Sequence, residues 1–220
     1  MFLQWRIIIA KVIWNQEQRQ AFQGLLREFV RRMDAKIASG DRTTKGMVTT
    51  DLEENFNYLL NDIDYECNVR FGQGWLSGAG KKNLNPKKGF RPAIVFCRKD
   101  ILKEHLVNRT KLARSRGFYI WFAYYWLDTL VRGVPNSKDG FHLSMGRATN
   151  KTESERCEKC LAYEKFFGKN SRKDLRNKYE IYPDLETDLE KITNYFLKLV
   201  DFFNEIPQEC FKPMDNLSTL

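Results

Sequence analysis

Histidine is scarce in this chain: there are two in 220 residues, His105 and His142, and neither is paired with a partner at finger spacing. That scarcity leaves the single Cys157-Glu-Lys-Cys160 pair without the second ligand pair that a structural zinc needs. The five cysteines (Cys67, Cys97, Cys157, Cys160 and Cys210) are odd in number and follow no regular framework, which excludes a disulfide-stapled scaffold. No apolar run approaches the length that crosses a bilayer. The apolar start from Phe2 to Trp14 is interrupted by Arg6 and Lys11, and no small-residue cleavage site follows it. The expectation is a reduced, cytoplasmic protein with no membrane partner.

Catalytic signatures are missing as well. "FGQGWLSGAGKK" (71–82) has the glycine and lysine content of a phosphate-holding loop. A nucleotide-binding P-loop, however, needs a glycine five residues before its Gly-Lys and a hydroxyl after it, whose oxygen binds magnesium. Trp75 and Lys82 occupy those positions, and no other Gly-Lys-Ser/Thr occurs. No Gly-x-Ser-x-Gly elbow is present, and no Cys/His pairing is apparent. The acid-and-lysine letters of a nuclease motif occur only at Asp188–Lys191, inside an amphipathic helical pattern where charges normally face water. The expectation is a binding domain and not an enzyme, with no cofactor and no metal.

What the chain does have is segregated charge. Between residues 70 and 116 there are thirteen Lys/Arg against Asp100 and Glu104, a net of +11, whereas 184–220 carries three bases and eight acids, a net of −5. A net charge of +9 concentrated in one block marks a polyanion-binding face.

Periodicity orders the rest. Phe22, Leu26, Phe29, Met33 and Ile37 recur at helical spacing, which predicts an amphipathic helix from Gln16 to Ala38. Thr50 with Glu53 reads as a capping box opening a second helix through Leu52, Phe56, Leu59 and Ile63. "ECNVRF", "RPAIVFC", "GFYIWFAYYWL" and "GFHLSMG" are aromatic and β-branched segments that read as strands. Helix returns over Thr152–Phe167 and, most clearly, over Asp184–Asn204. The expected fold is α/β of the α+β kind, with a central mixed or antiparallel sheet flanked by N-terminal and C-terminal helices. The expected organisation is one domain over 1–206, followed by a tail or linker over 207–220. Within that domain, helices occupy 1–64, a sheet with basic loops occupies 65–150, and helices again occupy 151–206.

In the third strand alternation puts Tyr119, Trp121, Ala123 and Tyr125 on one side and Phe118, Ile120, Phe122 and Tyr124 on the other. One side forms core. The second is either covered by helices too or is a flat aromatic wall on which a base stacks, and its strongly basic neighbours favour the wall.

The succession "VRFGQGWLS", "FRPAIVF", "GFYIWFAYY", "GFHLSMGRATN" and a C-terminal amphipathic helix resembles the N-terminal DNA-binding domain of McrB-type modification-dependent restriction proteins. The match covers roughly Tyr65–Asn150 plus the last helix. The resemblance implies a domain that binds duplex DNA with a methylated or otherwise modified base and flips that base into an aromatic pocket. A residue of the glycine loop then fills the gap. It further implies a GTPase motor, fused or separate, and a nuclease subunit, all serving phage defence. Carried over by position, Gln73 between Gly72 and Gly74 fills the gap, where backbone must approach stacked bases closely. Ala93, Tyr119 and Ala123 line the pocket. Alanines stand at positions 93 and 123, where the best-known member has tryptophan and leucine. They enlarge the pocket for a bulkier base, with Trp75 or Trp121 supplying the stacking surface. Lys81, Lys82, Lys87, Lys88, Arg91 and Arg116 take the phosphates. The alternatives are an RNA- or single-strand-binding protein using the same sheet, and a nuclease subunit.

Overall fold

The computed structural model describes residues 11–39, 46–71, 92–101, 117–125, 140–148, 151–168, 180–182 and 184–212. Its framework is a five-stranded antiparallel sheet in the order β1 (Tyr65–Arg70), β2 (Ala93–Arg98), β3 (Phe118–Tyr125), β4 (Gly140–Arg147), β5 (Glu180–Tyr182). Each strand pairs with the one before it, so the sheet is a meander without crossovers. The α+β expectation holds, and the sheet is antiparallel throughout. The short β5 is an addition to the strands expected from local pattern.

Helix α1 (Gln16–Ala38) matches the residues that periodicity marks. Its buried stripe of Phe22, Leu26, Phe29 and Met33 packs against α5 (Leu185–Asn204) and one face of the sheet. Phe22 stacks on Phe196 with centroids 4.7 Å apart and meets Phe96 of β2 at 6.1 Å. The two helices run antiparallel: Arg19 pairs with Glu190, and further along α1, Arg27 pairs with Glu186. These ion pairs lie at the surface and set register more than stability. Asp184 caps α5 by accepting from the Thr187 backbone N–H at 2.8 Å, satisfying one of the free amides of the first turn.

Helix α2 (Thr50–Leu60) performs a different task. Thr50 is its first helical residue, the residue before it, Thr49, makes no side-chain cap, and so the expected capping box is not formed. Glu53 points instead at the edge of β1, where its Oε1 accepts from the Val69 N–H at 3.1 Å. One turn on, Asn57 Oδ1 accepts from the Cys67 N–H at 2.7 Å. The i,i+4 rise of a helix is close to the i,i+2 rise of a strand, so two helical side chains serve successive outward amides of an edge strand. An edge served in this way is not open to pairing with another chain.

The helix expected over 152–167 is broken in two. Helix α3 (Lys151–Glu158) ends before Cys160, whose extended backbone (φ −90°, ψ 143°) starts α4 (Leu161–Phe167). Both thiols are buried. Cys160 Sγ lies 3.1 Å from the Phe211 carbonyl, and burial pushes this thiol up to about 12. The segment after Pro207, expected as tail, opens with a 3-10 turn over Gln208–Phe211. Phe211 is buried against Phe118, Phe166 and Phe203, so the packed body reaches at least that residue. Among the described residues no helix is long and apolar enough to cross a membrane.

Candidate nucleic-acid interface

Strand register sorts the sheet into two faces. Phe96, Ile120 and Met145 lie in one cross-strand row, Ile94, Phe122 and Leu143 in another. These side chains meet the helices: Phe122 contacts Phe29 at 6.2 Å, Phe96 contacts Phe196 at 4.9 Å, and Phe118 stacks on Phe166 at 5.4 Å. Every described ring contact between a helix and the sheet falls on this face.

The opposite face holds the pocket candidates. Ala93 of β2 pairs with Ala123 of β3, which pairs in turn with His142 of β4, while Arg70 of β1 sits across from Ala93 on the other side. The row reads Arg70, Ala93, Ala123, His142 and continues to Ile181 of β5. One pleat along, the row reads Asn68, Val95, Trp121, Ser144. Two methyl side chains thus stand in register between an arginine and a histidine, with Trp121 one pleat along. Strands lie about 4.8 Å apart, so Arg70 on β1 and His142 on β4 stand three strand spacings, roughly 14 Å, apart at the backbone. The structure thus brings Ala93, Ala123, Trp121 and Tyr119 onto a single face.

This face is not the open wall that alternation suggested. Ala93 is 2% and Ala123 0% exposed, while Trp121 is half-buried. Tyr119, at 3% exposed, lies flat over Gly146 of its neighbour strand and donates from its hydroxyl to the Arg147 carbonyl at 2.7 Å. Its ring fills the gap that glycine leaves in β4, which gives it a supporting role on this face. Trp121 is the partly exposed ring among the described members of the set.

Polar residues mark the same face. Asn68, His142 and Ser144 are 8%, 4% and 9% exposed. Sequence reasoning missed His142 and Ser144, although a signal was there: "GFHLSMG" alternates Phe141, Leu143 and Met145 inward with Gly140, His142, Ser144 and Gly146 outward. A strand with no aliphatic side chain on its buried outer face is not building a second hydrophobic core. Buried polar groups are costly unless they are given partners.

The charge block divides. Arg98 belongs to the fold: its Nη1 donates to the carbonyls of Phe203 and Ile206 at 2.8 and 2.6 Å, closing the end of α5, and its guanidinium lies over the Phe203 and Phe211 rings. Lys99 donates to Asn61 Oδ1 at 2.7 Å. Arg70 stays on the outer face. Gly72, Gln73, Gly74, Trp75, Lys81, Lys82, Lys87, Lys88, Arg91 and Arg116 lie outside the described residues. Topology nonetheless fixes where the 72–91 connection is tethered: it leaves β1 after Arg70 and joins β2 at Ala93, the two residues that begin the alanine row.

The nuclease-like letters lie elsewhere. Asp188 and Lys191 pair at 2.6 Å on α5, in the helical layer on the other side of the sheet, and Asp188 is buried at 5% instead of facing water. Among the described residues no group of three or more His, Cys, Asp or Glu is placed to hold a metal ion. Comparison with protein-family models, with curated proteins and with solved structures returned no match to this chain.

Proposed function

We propose that this chain is a non-catalytic specificity module that binds duplex DNA and holds one modified base, turned out of the helix, against the outer face of its sheet. The observation that carries the reading is the alanine row: two paired small residues, with Arg70 and His142 beside them in register and Trp121 one pleat along, at the point where the Gly- and Lys-rich 72–91 connection is tethered. An extruded base needs a shaped recess, a ring to stack on and hydrogen-bonding edges, and its release from the duplex is repaid by those contacts. Lysines on the adjoining connection supply affinity that is independent of sequence and falls with salt. Cleavage and translocation are assigned in this reading to a GTPase motor and a nuclease carried by other domains or subunits.

The test is fluorescence anisotropy on labelled duplexes that are unmodified or carry 5-methylcytosine, 5-hydroxymethylcytosine or N6-methyladenine, with matching single strands and RNA. One modified duplex is expected to bind about tenfold or more tighter than its plain counterpart. Trp121→Ala is expected to weaken that complex by about 1–3 kcal/mol, the usual loss of a base–aromatic stack. It should leave plain duplex nearly unchanged. Equal losses on both, or a preference for single strands over every duplex, refutes the reading. The second outcome transfers the site to single-strand or RNA binding.

A further inference from the structure

We infer that Arg70 grips a backbone phosphate of the bound duplex, and that Asn68 and Glu53 aim it without cancelling its charge. This rests on the duplex-binding part of the reading above and adds a residue that the phosphate candidates did not include.

Three bases of the central block lie among the described residues, and two are committed to the fold. Arg98 donates to the carbonyls of Phe203 and Ile206 and pairs with Asp100, and Lys99 donates to Asn61. Arg70 is different. It is half-buried on the edge strand β1, at the rim of the outer face, where its Nε donates to Asn68 Oδ1 at 2.7 Å. Among the described residues its two terminal amines have no partner, and neither is sealed from solvent. A guanidinium fork of this kind takes two oxygens of one phosphate.

The support behind the fork is specific. Asn68 is 8% exposed, and its Nδ2 donates to Glu53 Oε1 at 3.0 Å. The same oxygen accepts from the Val69 N–H at 3.1 Å. A carboxylate only accepts, so it fixes which end of the amide faces it and leaves Oδ1 for Arg70. A neutral amide thus stands where an acid would form an ion pair. The guanidinium is oriented as an acid would orient it, yet its charge stays available to an outside anion. Held through Nε before binding, Arg70 loses less freedom when a phosphate arrives.

A phosphate contact carries no base information, so its loss acts alike on every duplex. The experiment measures the affinity of the full chain for modified and plain duplexes by anisotropy across a salt series. The variants are Arg70→Met, Arg70→Lys, Asn68→Ala and the double change Asn68→Ala with Arg70→Met, each first checked for a native circular dichroism spectrum. Arg70→Met is expected to weaken both duplexes by about tenfold. It should also make the slope of log affinity against log salt shallower by about 0.9. Arg70→Lys is expected to recover the slope but not the full affinity, since an ammonium makes no paired contact. Asn68→Ala is expected to weaken binding about threefold in the wild-type background and not at all in the Arg70→Met background. Should Asn68→Ala fail to fold, Glu53→Gln replaces it, because a neutral amide no longer dictates which end of Asn68 faces Arg70.

Folded Arg70→Met with unchanged affinity and slope overturns the inference while the base-holding reading stands. A loss confined to the modified duplex makes Arg70 a base reader and also overturns it. Equal losses from Asn68→Ala in both backgrounds overturn the aiming role. A wild-type chain that binds every duplex equally overturns the base-holding reading and leaves the phosphate contact in place; one that binds no duplex overturns both.

Discussion

Replacing Gly146 with alanine tests the architecture of the outer face directly. Glycine at 146 has no left-handed backbone torsion to excuse it. In open space a Gly→Ala change at such a position stabilises by about 0.4–1 kcal/mol, because the unfolded chain loses freedom. Here a Cβ would overlap Tyr119 Cε2 and sit 2.8 Å from Cδ2 and 3.1 Å from Cζ. The ring cannot swing aside freely, being 3% exposed and tied through its hydroxyl to the Arg147 carbonyl. Overpacking of this kind costs about 1–3 kcal/mol, and loss of the hydroxyl's hydrogen bond about 1 more. The expected destabilisation is roughly 2–4 kcal/mol, a fall in melting temperature of about 4–16 °C for a chain of this size. Urea unfolding of Gly146→Ala, Tyr119→Ala and the double variant closes a cycle. In the Tyr119→Ala background the added methyl should become neutral or stabilising, giving a coupling energy of at least about 1 kcal/mol. If Gly146→Ala is neutral or stabilising while Tyr119 is present, the flat-ring account is wrong. The same account explains why Trp121, and not Tyr119, is the ring to delete in binding assays: loss of Tyr119 perturbs the sheet itself.

Two further outcomes follow from single contacts. Glu53→Ala should speed hydrogen exchange at the Val69 amide and cost about 1–3 kcal/mol, because a half-buried donor loses its acceptor; unchanged exchange at Val69 would remove the edge-guarding role of α2. Arg31, then Arg32, hydrogen-bonds the Glu28 carboxylate and holds it at about 2, below its ordinary 4.5. A carboxyl depressed by folding stabilises above its unfolded value and ceases to as pH falls through its folded one. The urea-midpoint gap between wild type and Glu28→Gln should therefore be present at neutral pH and close as the pH drops from 4.5 toward 2; a gap that persists to the acid limit contradicts the pairing.

The candidate site was only partly legible in the chain itself. That Ala93 and Ala123 belong together came from a resemblance of motif order. That they touch across two strands came from register, which no local pattern encodes. Arg98 shows the same limit from the other side: it counted as surface charge in the basic block, yet it closes the end of a helix more than a hundred residues away. His142 was visible as a polar interruption of an alternating strand, but its meaning depended on which neighbour it faced.

Local periodicity alone determined the extent of α1, the position of α5, the location of four strands and the α+β class, because the 3.6- and 2-residue repeats are written in adjacent residues. Tertiary packing decided the rest: which side of β3 meets the helices, the turn of Glu53 from cap to strand edge, the break before Cys160, the docking of Phe211 and the row from Arg70 to His142. Those outcomes depend on pairings between residues far apart in the chain, and their free energy exists only once the partners have met.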